Sequence, residues 1–410
     1  MKVAVVGGGL AGLSAALDLV DAGHSVTVLE ARPTLGGAVQ TLPEREGDPE
    51  PPPDNGQHIA LGCFTEYLRF LDRVGEGESF LRTRLGLPVI DEEGTAATIE
   101  PSLRALLGYR HLTRRDRLRL PVTTLRLRSA QPQSNETFGH LLRRLGETDA
   151  SIDAFWDVFV RPALNLRCDE VDAGAGLFTV RTALLGPRAN SDLILPTQPL
   201  GRMHGDAAGA ALEAAGAIVR TDVRVGWLDE VDADAVVLAV PPQESARLLG
   251  EPEPQLEDSP IVSVHLWFER QVLEHPLAAL LGSDAHWVFD RGALTGSRPD
   301  HGQYLTVVSS GVPELLEVRG RELVERIAGQ LTERLGEAEL LWSRVSREPY
   351  ATIALRPGVE RPGVETSQPR VARAGSWTDT GWPATMESAV RSGRRAAQHI
   401  LSTASATITA

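Results

Sequence analysis

The tightest constraint on this chain sits at its start. Lys2, Val3, Ala4, Val5 and Val6 form an apolar, β-prone run that breaks at Gly7-Gly8-Gly9-Leu10-Ala11-Gly12. Leu13, Ala16, Leu17 and Val20 then recur at helical spacing, so only a strand, a tight turn and a helix satisfy both patterns. Gly7 allows the turn, Gly9 lets backbone approach a pyrophosphate, and Gly12 lets helix and strand pack closely. The helix start favours phosphate charge through its free N–H groups and dipole, which brings Leu10 and Ala11 into the binding turn. A second strand over 25–29 ends on Glu30, followed by Ala31. An acid at this spacing suits ribose hydroxyls and repels a 2′-phosphate. NAD and FAD both meet that requirement.

The 410 residues can bury a large core and divide into two or three lobes, and 42% hydrophobic with 23% charged residues argues against disorder. A formal net charge of -14 disfavours nucleic acid as a partner. Cys63 and Cys168 cannot build a disulfide framework, and no Cys/His cluster has metal-ligand spacing. A reducing, cytoplasmic setting and no metal are therefore expected. The apolar start lacks a basic region and a cleavage site, so it reads as a buried strand rather than a leader. No segment reaches the roughly eighteen apolar residues of a membrane span. Between Arg104 and Arg128 lie Arg110, Arg114, Arg115, Arg117, Arg119 and Arg126, with Asp116 the sole acid and Leu106, Leu107, Leu118 and Leu120 interleaved. This is either a solvated helix face or a peripheral contact with anionic lipid at the cytoplasmic membrane.

Further along, 44–54 reads as an exposed, proline-rich acidic loop, and helical patterns occupy 64–75 and 136–146. An alanine-rich helix over 207–215, strands over 217–225 and 235–240 and a stop at Pro241-Pro242 return to nucleotide-domain texture. Strands over 261–268, 286–290 and 303–308 suggest a second sheet, with a helix over 321–335, a strand over 371–374 and a last helix over 385–400. The fold expected is α/β, a discontinuous Rossmann-like domain with an inserted mixed α+β substrate domain. Its nucleotide part comprises 1–85, 196–250 and 365–402, its substrate part 86–195 and 251–364, and 403–410 a flexible tail.

Three stretches carry a resemblance. Leu35-Gly36-Gly37 and the glycine-aromatic segment from Gly375 resemble the two-part FAD site of the amine oxidase and phytoene desaturase superfamily. Asp54-Asn55-Gly56-Gln57-His58 and the run from Trp377 through Thr378-Asp379-Thr380-Gly381-Trp382-Pro383-Ala384-Thr385-Met386-Glu387 to Gly393 resemble the hydroxysqualene dehydroxylases, squalene-associated flavoproteins of hopanoid synthesis. The supporting stretches 162–165, 265–268 and 287–291 spread that resemblance over nearly the whole chain. It implies FAD as cofactor, a two-domain amine-oxidase-like fold, and Gly36, Gly37, Val225, Gly375, Ser376, Pro383, Ala384, Thr385 and Met386 as further cofactor contacts.

The resemblance also implies a reductive dehydroxylation, in which a long isoprenoid loses its hydroxyl as water and gains hydride. Such chemistry needs an acid for the leaving group and a dry pocket. Asp54 and His58 are the proton-donor candidates by type and place, or else a loop-capping acid and a structural histidine. Trp382 either stacks near the flavin or a developing cation, or simply packs. Ala38 and Ser376 depart from the superfamily pattern, which commonly has arginine and an acid there. A conventional amine oxidase is disfavoured because Lys2 is the chain's only lysine. A carotenoid-type desaturase and a non-catalytic isoprenoid-binding escort are the rival readings. With no second nucleotide fingerprint, electrons are expected from an external reductase or transiently bound NAD(P)H.

Overall fold

The computed structural model describes residues 1–408. The apolar run Val3–Val6 is buried on both faces, as a central parallel strand must be. This strand, β1 (Lys2–Val6), is followed by α1 (Leu10–Asp21) and β2 (Ser25–Leu29), which pairs with it in parallel. Strands from far along the chain complete the sheet: β3 (Ile218–Arg220), β4 (Ala235–Leu238) and β5 (Val371–Arg373). Their order is β5-β4-β1-β2-β3, all parallel, so the domain is discontinuous in sequence. The last helix, α2 (Met386–Ile408), packs along α1. A Cβ on Gly393 would run into the Ala11 carbonyl, which explains a glycine in mid-helix.

The second sheet has seven strands, in the order Leu340–Ile353, Asp258–Phe268, Gln303–Ser310, Trp287–Asp290, Leu277–Leu280, Leu87–Ile90 and Ala96–Ile99. It is antiparallel except where Leu277–Leu280 meets Leu87–Ile90. Strand periodicity sorts its two faces. Val288 joins a core under helix Gly320–Leu335, whose Leu323, Ile327 and Leu331 face inward, while Trp287 and Phe289 turn to the opposite side and line a cavity. Leu193–Pro196 lies between Ala60–Leu61 and Phe80–Thr83 in a small third sheet.

Several expected elements change length for local reasons. The strand expected over 217–225 stops at Arg220, because Asp222 adopts a left-handed φ of 57°. Pro241-Pro242 ends one element and starts another: Pro242 opens helix Pro242–Leu249, where a missing N–H costs nothing. The loop 44–54 is exposed over 44–47 and at Glu50, whereas Pro49, Pro51, Pro53 and Asp54 are buried. The strand expected over 286–290 begins at Trp287. The expected tail 403–410 is helical to Ile408, and its last two residues lie outside the described residues.

Candidate active site

The glycine turn forms an open cradle at the end of β1. Gly7 has φ 105°, and a Cβ there or on Gly12 would collide with the carbonyls of Ala239 and Gly7 respectively. α1 starts at Leu10 with no side-chain cap, so the first amides of the helix have no side-chain acceptor at its start. The second glycine pair seals one side: Gly36 donates its N–H to the Gly8 carbonyl at 2.8 Å, and Gly9 and Gly36 form a parallel bridge. Glu30 closes the end of β2. Its Oε2 accepts from the Gly8 N–H at 2.6 Å and its Oε1 from the Arg32 N–H at 2.8 Å, leaving a lone pair on each oxygen for a ribose diol. The coil after β3 runs past it, with the Val223 N–H donating to the Glu30 carbonyl, and Val225 is buried beside the end of the sheet. Ala31 is exposed at the rim. The cradle therefore fits a dinucleotide with a free ribose diol.

From Leu10 and Gly36 a cavity of about 330 Å³ runs between the two sheets. Ser376, Trp382, Pro383, Ala384, Thr385 and Met386 line it, so the two ends of the chain meet here. Around the start of α2, Thr352 Oγ1 donates to the Ala384 carbonyl and the Ser388 N–H to Thr385 Oγ1. The Gly375 amide is taken by Ser392 Oγ at 2.9 Å. Glu387 is fully buried and off the cavity. It accepts from the N–H groups of Glu66 and Tyr67, and so caps helix Thr65–Arg73.

Aromatic rings dominate the cavity's far wall. Trp382 meets Phe64 and Phe178 edge-on, at 6.0 and 5.1 Å between centroids, with the Arg391 guanidinium 4.7 Å above its ring. Trp287 and Phe289 stack at 5.9 Å, and Phe159 joins them. Among the described residues, the titratable side chains on the wall are His58, Cys63 and Glu348. Burial pushes His58 down to about 4 and the Cys63 thiol up to about 11. Burial also raises Glu348, against the opposing pull of Asn55, Arg32 and Ser346. At neutral pH this wall presents a neutral imidazole and a thiol, beside a carboxyl that burial raises above its ordinary value.

Asp54, expected beside His58 as an acid, does not line the cavity. It is fully buried behind the wall, 2.9 Å from the Arg291 guanidinium, and accepts from Thr41 Oγ1 at 2.8 Å and the Leu200 N–H at 2.9 Å. The Arg291 contact is close but poorly aligned as a hydrogen bond. Burial raises the Asp54 carboxyl despite these partners. Arg291 also donates to Gln57 Oε1 at 3.0 Å, so the buried pair holds the segment that carries Gln57 and His58 against the cavity. Lys2 lies at the start of the central strand β1, 2.9 Å from Asp232 and off the cavity. Glu348, Phe159, Phe178 and the role of Arg291 were not legible in the sequence. Only Arg291 stood in a stretch already singled out.

Known proteins resemble this one along nearly all its length. Residues 10–186 and 211–401 match the family described as flavin containing amine oxidoreductase. Hydroxysqualene dehydroxylase of Sinorhizobium fredii is 30% identical over 98% of this chain and 98% of its own. The chloroplastic/chromoplastic zeta-carotene desaturase of Arabidopsis thaliana is 24% identical over 98% of this chain and 85% of its own. Cyclohexylamine oxidase from Brevibacterium oxydans superposes with a TM-score of 0.72 at 18% identity, over 98% of both chains, a likeness of fold.

Proposed function

Because the chain belongs to the flavin-containing amine oxidoreductases, and within them to the hydroxysqualene dehydroxylase family, we propose that it converts hydroxysqualene to squalene in triterpenoid, hopanoid-type synthesis. It is an FAD-dependent oxidoreductase. Reduced FAD, when bound, would supply the hydride, which carries both electrons of the reduction. The allylic C–O bond breaks, the hydroxyl leaves with a proton as water, and the hydride takes its place at carbon.

The observation that carries this reading is the continuity of the cradle with a large, aromatic-walled cavity that holds few titratable groups. Gly7, Gly9, Leu10, Ala11 and Gly12 would hold the pyrophosphate on the start of α1. Glu30 and Ala31 would take the ribose, Val225 would border the adenine, and Gly36, Gly37, Gly375, Ser376 and Pro383 to Met386 would border the flavin. Phe159, Phe178, Trp287, Phe289 and Trp382 exclude water, grip an isoprenoid and offer ring faces to positive charge developing at the allylic carbon. Glu348 gives its proton to the departing hydroxyl, as the carboxyl on the cavity wall whose protonated form burial favours. His58 stays neutral and orients the hydroxyl, while Asp54 positions that segment from behind. The nucleotide domain is 1–85, 196–250 and 365–402, and the rest through 364 handles substrate. Electrons come from a separate reductase or a nicotinamide that binds and leaves.

Anaerobic incubation of photoreduced enzyme with hydroxysqualene tests this. Squalene should appear as the flavin reoxidises; flavin that stays reduced, with no squalene, defeats the reading. The likeness to zeta-carotene desaturases favours a second reading, isoprenoid desaturation. Consumption of squalene or a carotene by oxidised enzyme would select it. A purified chain that takes up no flavin would point to an escort-like binder.

A further inference from the structure

Two helices beside the substrate sheet show the solvent an apolar stripe that the core does not use. On helix Arg114–Leu127, Asp116, Leu120, Thr123 and Leu127 are buried. Leu118, Val122 and Leu125 stand on the opposite side, 66%, 48% and 66% exposed. At 3.6 residues per turn, these three fall within roughly 60° of one another. On the preceding helix, Leu103–Gly108, Leu103 and Leu107 are one turn apart and are 61% and 40% exposed. Among the described residues, five of the eleven exposed large hydrophobic side chains therefore lie in this one stretch. Scattered exposed leucines need no explanation, but a stripe does.

The charge around the stripe says what it meets. Residues 104–128 hold eight arginines and one acid, in a chain of net charge -14. That acid, Asp116, is buried and held by Thr113 Oγ1 at 2.6 Å, with Arg119 at 3.5 Å. Arg104, Arg110, Arg114, Arg115 and Arg128 are exposed, and among the described residues none pairs with a carboxylate. Arg114 and Arg115 flank the leucine stripe by helical geometry, close enough for their stems to lie along it with the guanidinium groups outward.

We propose that helices Leu103–Gly108 and Arg114–Leu127 form a docking face for an anionic bilayer surface. Leu103, Leu107, Leu118, Val122 and Leu125 enter the boundary between headgroups and acyl chains, and the free arginines sit on lipid phosphates. Among the described residues no helix is long and apolar enough to cross a membrane, so contact through this face is interfacial. The face stands next to the cavity wall: His111 Nε2 contacts the Val89 carbonyl at 2.8 Å, and Leu87 of the same strand lines the cavity. Leu106, Leu112 and Leu120 share a core with Leu87. A bilayer at this face would present a lipid-soluble substrate close to the cavity, but the docking itself does not depend on which substrate is used.

Co-sedimentation of the FAD-loaded full chain with phosphatidylcholine vesicles, with and without phosphatidylglycerol, tests the proposal. The protein should pellet with the phosphatidylglycerol vesicles and be released by raised salt. Leu118→Glu with Leu125→Glu should weaken that partitioning roughly tenfold or more, as should Arg114→Glu with Arg115→Glu. Both pairs should keep wild-type flavin content and thermal midpoint, since the altered side chains are exposed. Wild type that remains in the supernatant overturns the proposal. So does equal pelleting of the variants, or lipid-free self-association that the same substitutions abolish, which would make this a face between protein chains.

Discussion

At the scale of single residues, the nucleotide cradle was legible because its chemistry is local. Gly7, Gly9, Gly12 and Glu30 act within one strand–helix–strand unit, and their spacing alone defines the task. Gly9→Ala separates binding from folding. A Cβ there would meet Gly37 Cα at an ordinary 3.5 Å, so the apoprotein should melt within about a degree of wild type. The added methyl fills the approach to the pyrophosphate, however, and FAD affinity should fall on the order of tenfold or more by flavin titration. Glu348 was not legible, because its neighbours Asn55 and Arg32 are brought beside it only by the tertiary fold. If Glu348 is the acid, its protonated form carries the reaction. Single-turnover rates should then decline as pH rises through its raised pKa, and Glu348→Gln should lose about 10²- to 10⁴-fold in rate while keeping its flavin. A Glu348→Gln variant with wild-type rate and pH profile would remove Glu348 from the mechanism.

At the scale of elements, helices and strands with one apolar face were readable, and those lacking such a pattern were not. The strand Leu340–Ile353 escaped notice because Ser343, Arg344, Ser346, Arg347 and Glu348 give it a polar reading. Arg344 is in fact buried against Asp48, and Glu348 turns to the cavity. The acid of the Met386-Glu387-Ser388 run likewise reads in sequence as part of a cofactor motif, yet its carboxylate joins two elements. Glu387→Ala removes the acceptor for the Glu66 and Tyr67 amides at the start of helix Thr65–Arg73. It should cost the apoprotein about 1–2 kcal/mol in urea denaturation, the usual range for a lost cap. Unchanged apoprotein stability with lost flavin would instead assign Glu387 to the cofactor.

At the scale of the whole molecule, the α/β class and the discontinuity of the nucleotide sheet followed from strands recurring near both ends of the chain. The cavity did not, because it exists only where the two sheets meet. Burial across the domains also leaves a pH signature. His58 and His204 are pushed down to about 4, and His265 and His286 to about 3, all by burial first. A histidine held neutral binds fewer protons folded than unfolded, so its contribution is complete above the ordinary value of 6.5 and is lost as pH falls towards the depressed one. Raised carboxyls such as Asp54 and Asp157 act in the opposite sense, losing stability as pH rises. The histidine part is therefore best read by difference: His204→Gln apoprotein should lose less stability than wild type between pH 6.5 and 4, whatever its absolute level. Equal slopes would contradict the burial argument. The central claim, hydride delivery to the carbon that loses its hydroxyl, is met most directly by one anaerobic turnover of reduced enzyme with hydroxysqualene in D2O, where the flavin N5 position exchanges with solvent. The squalene formed should carry one deuterium at the former carbinol carbon. Squalene without deuterium there, or no squalene at all, would contradict that claim.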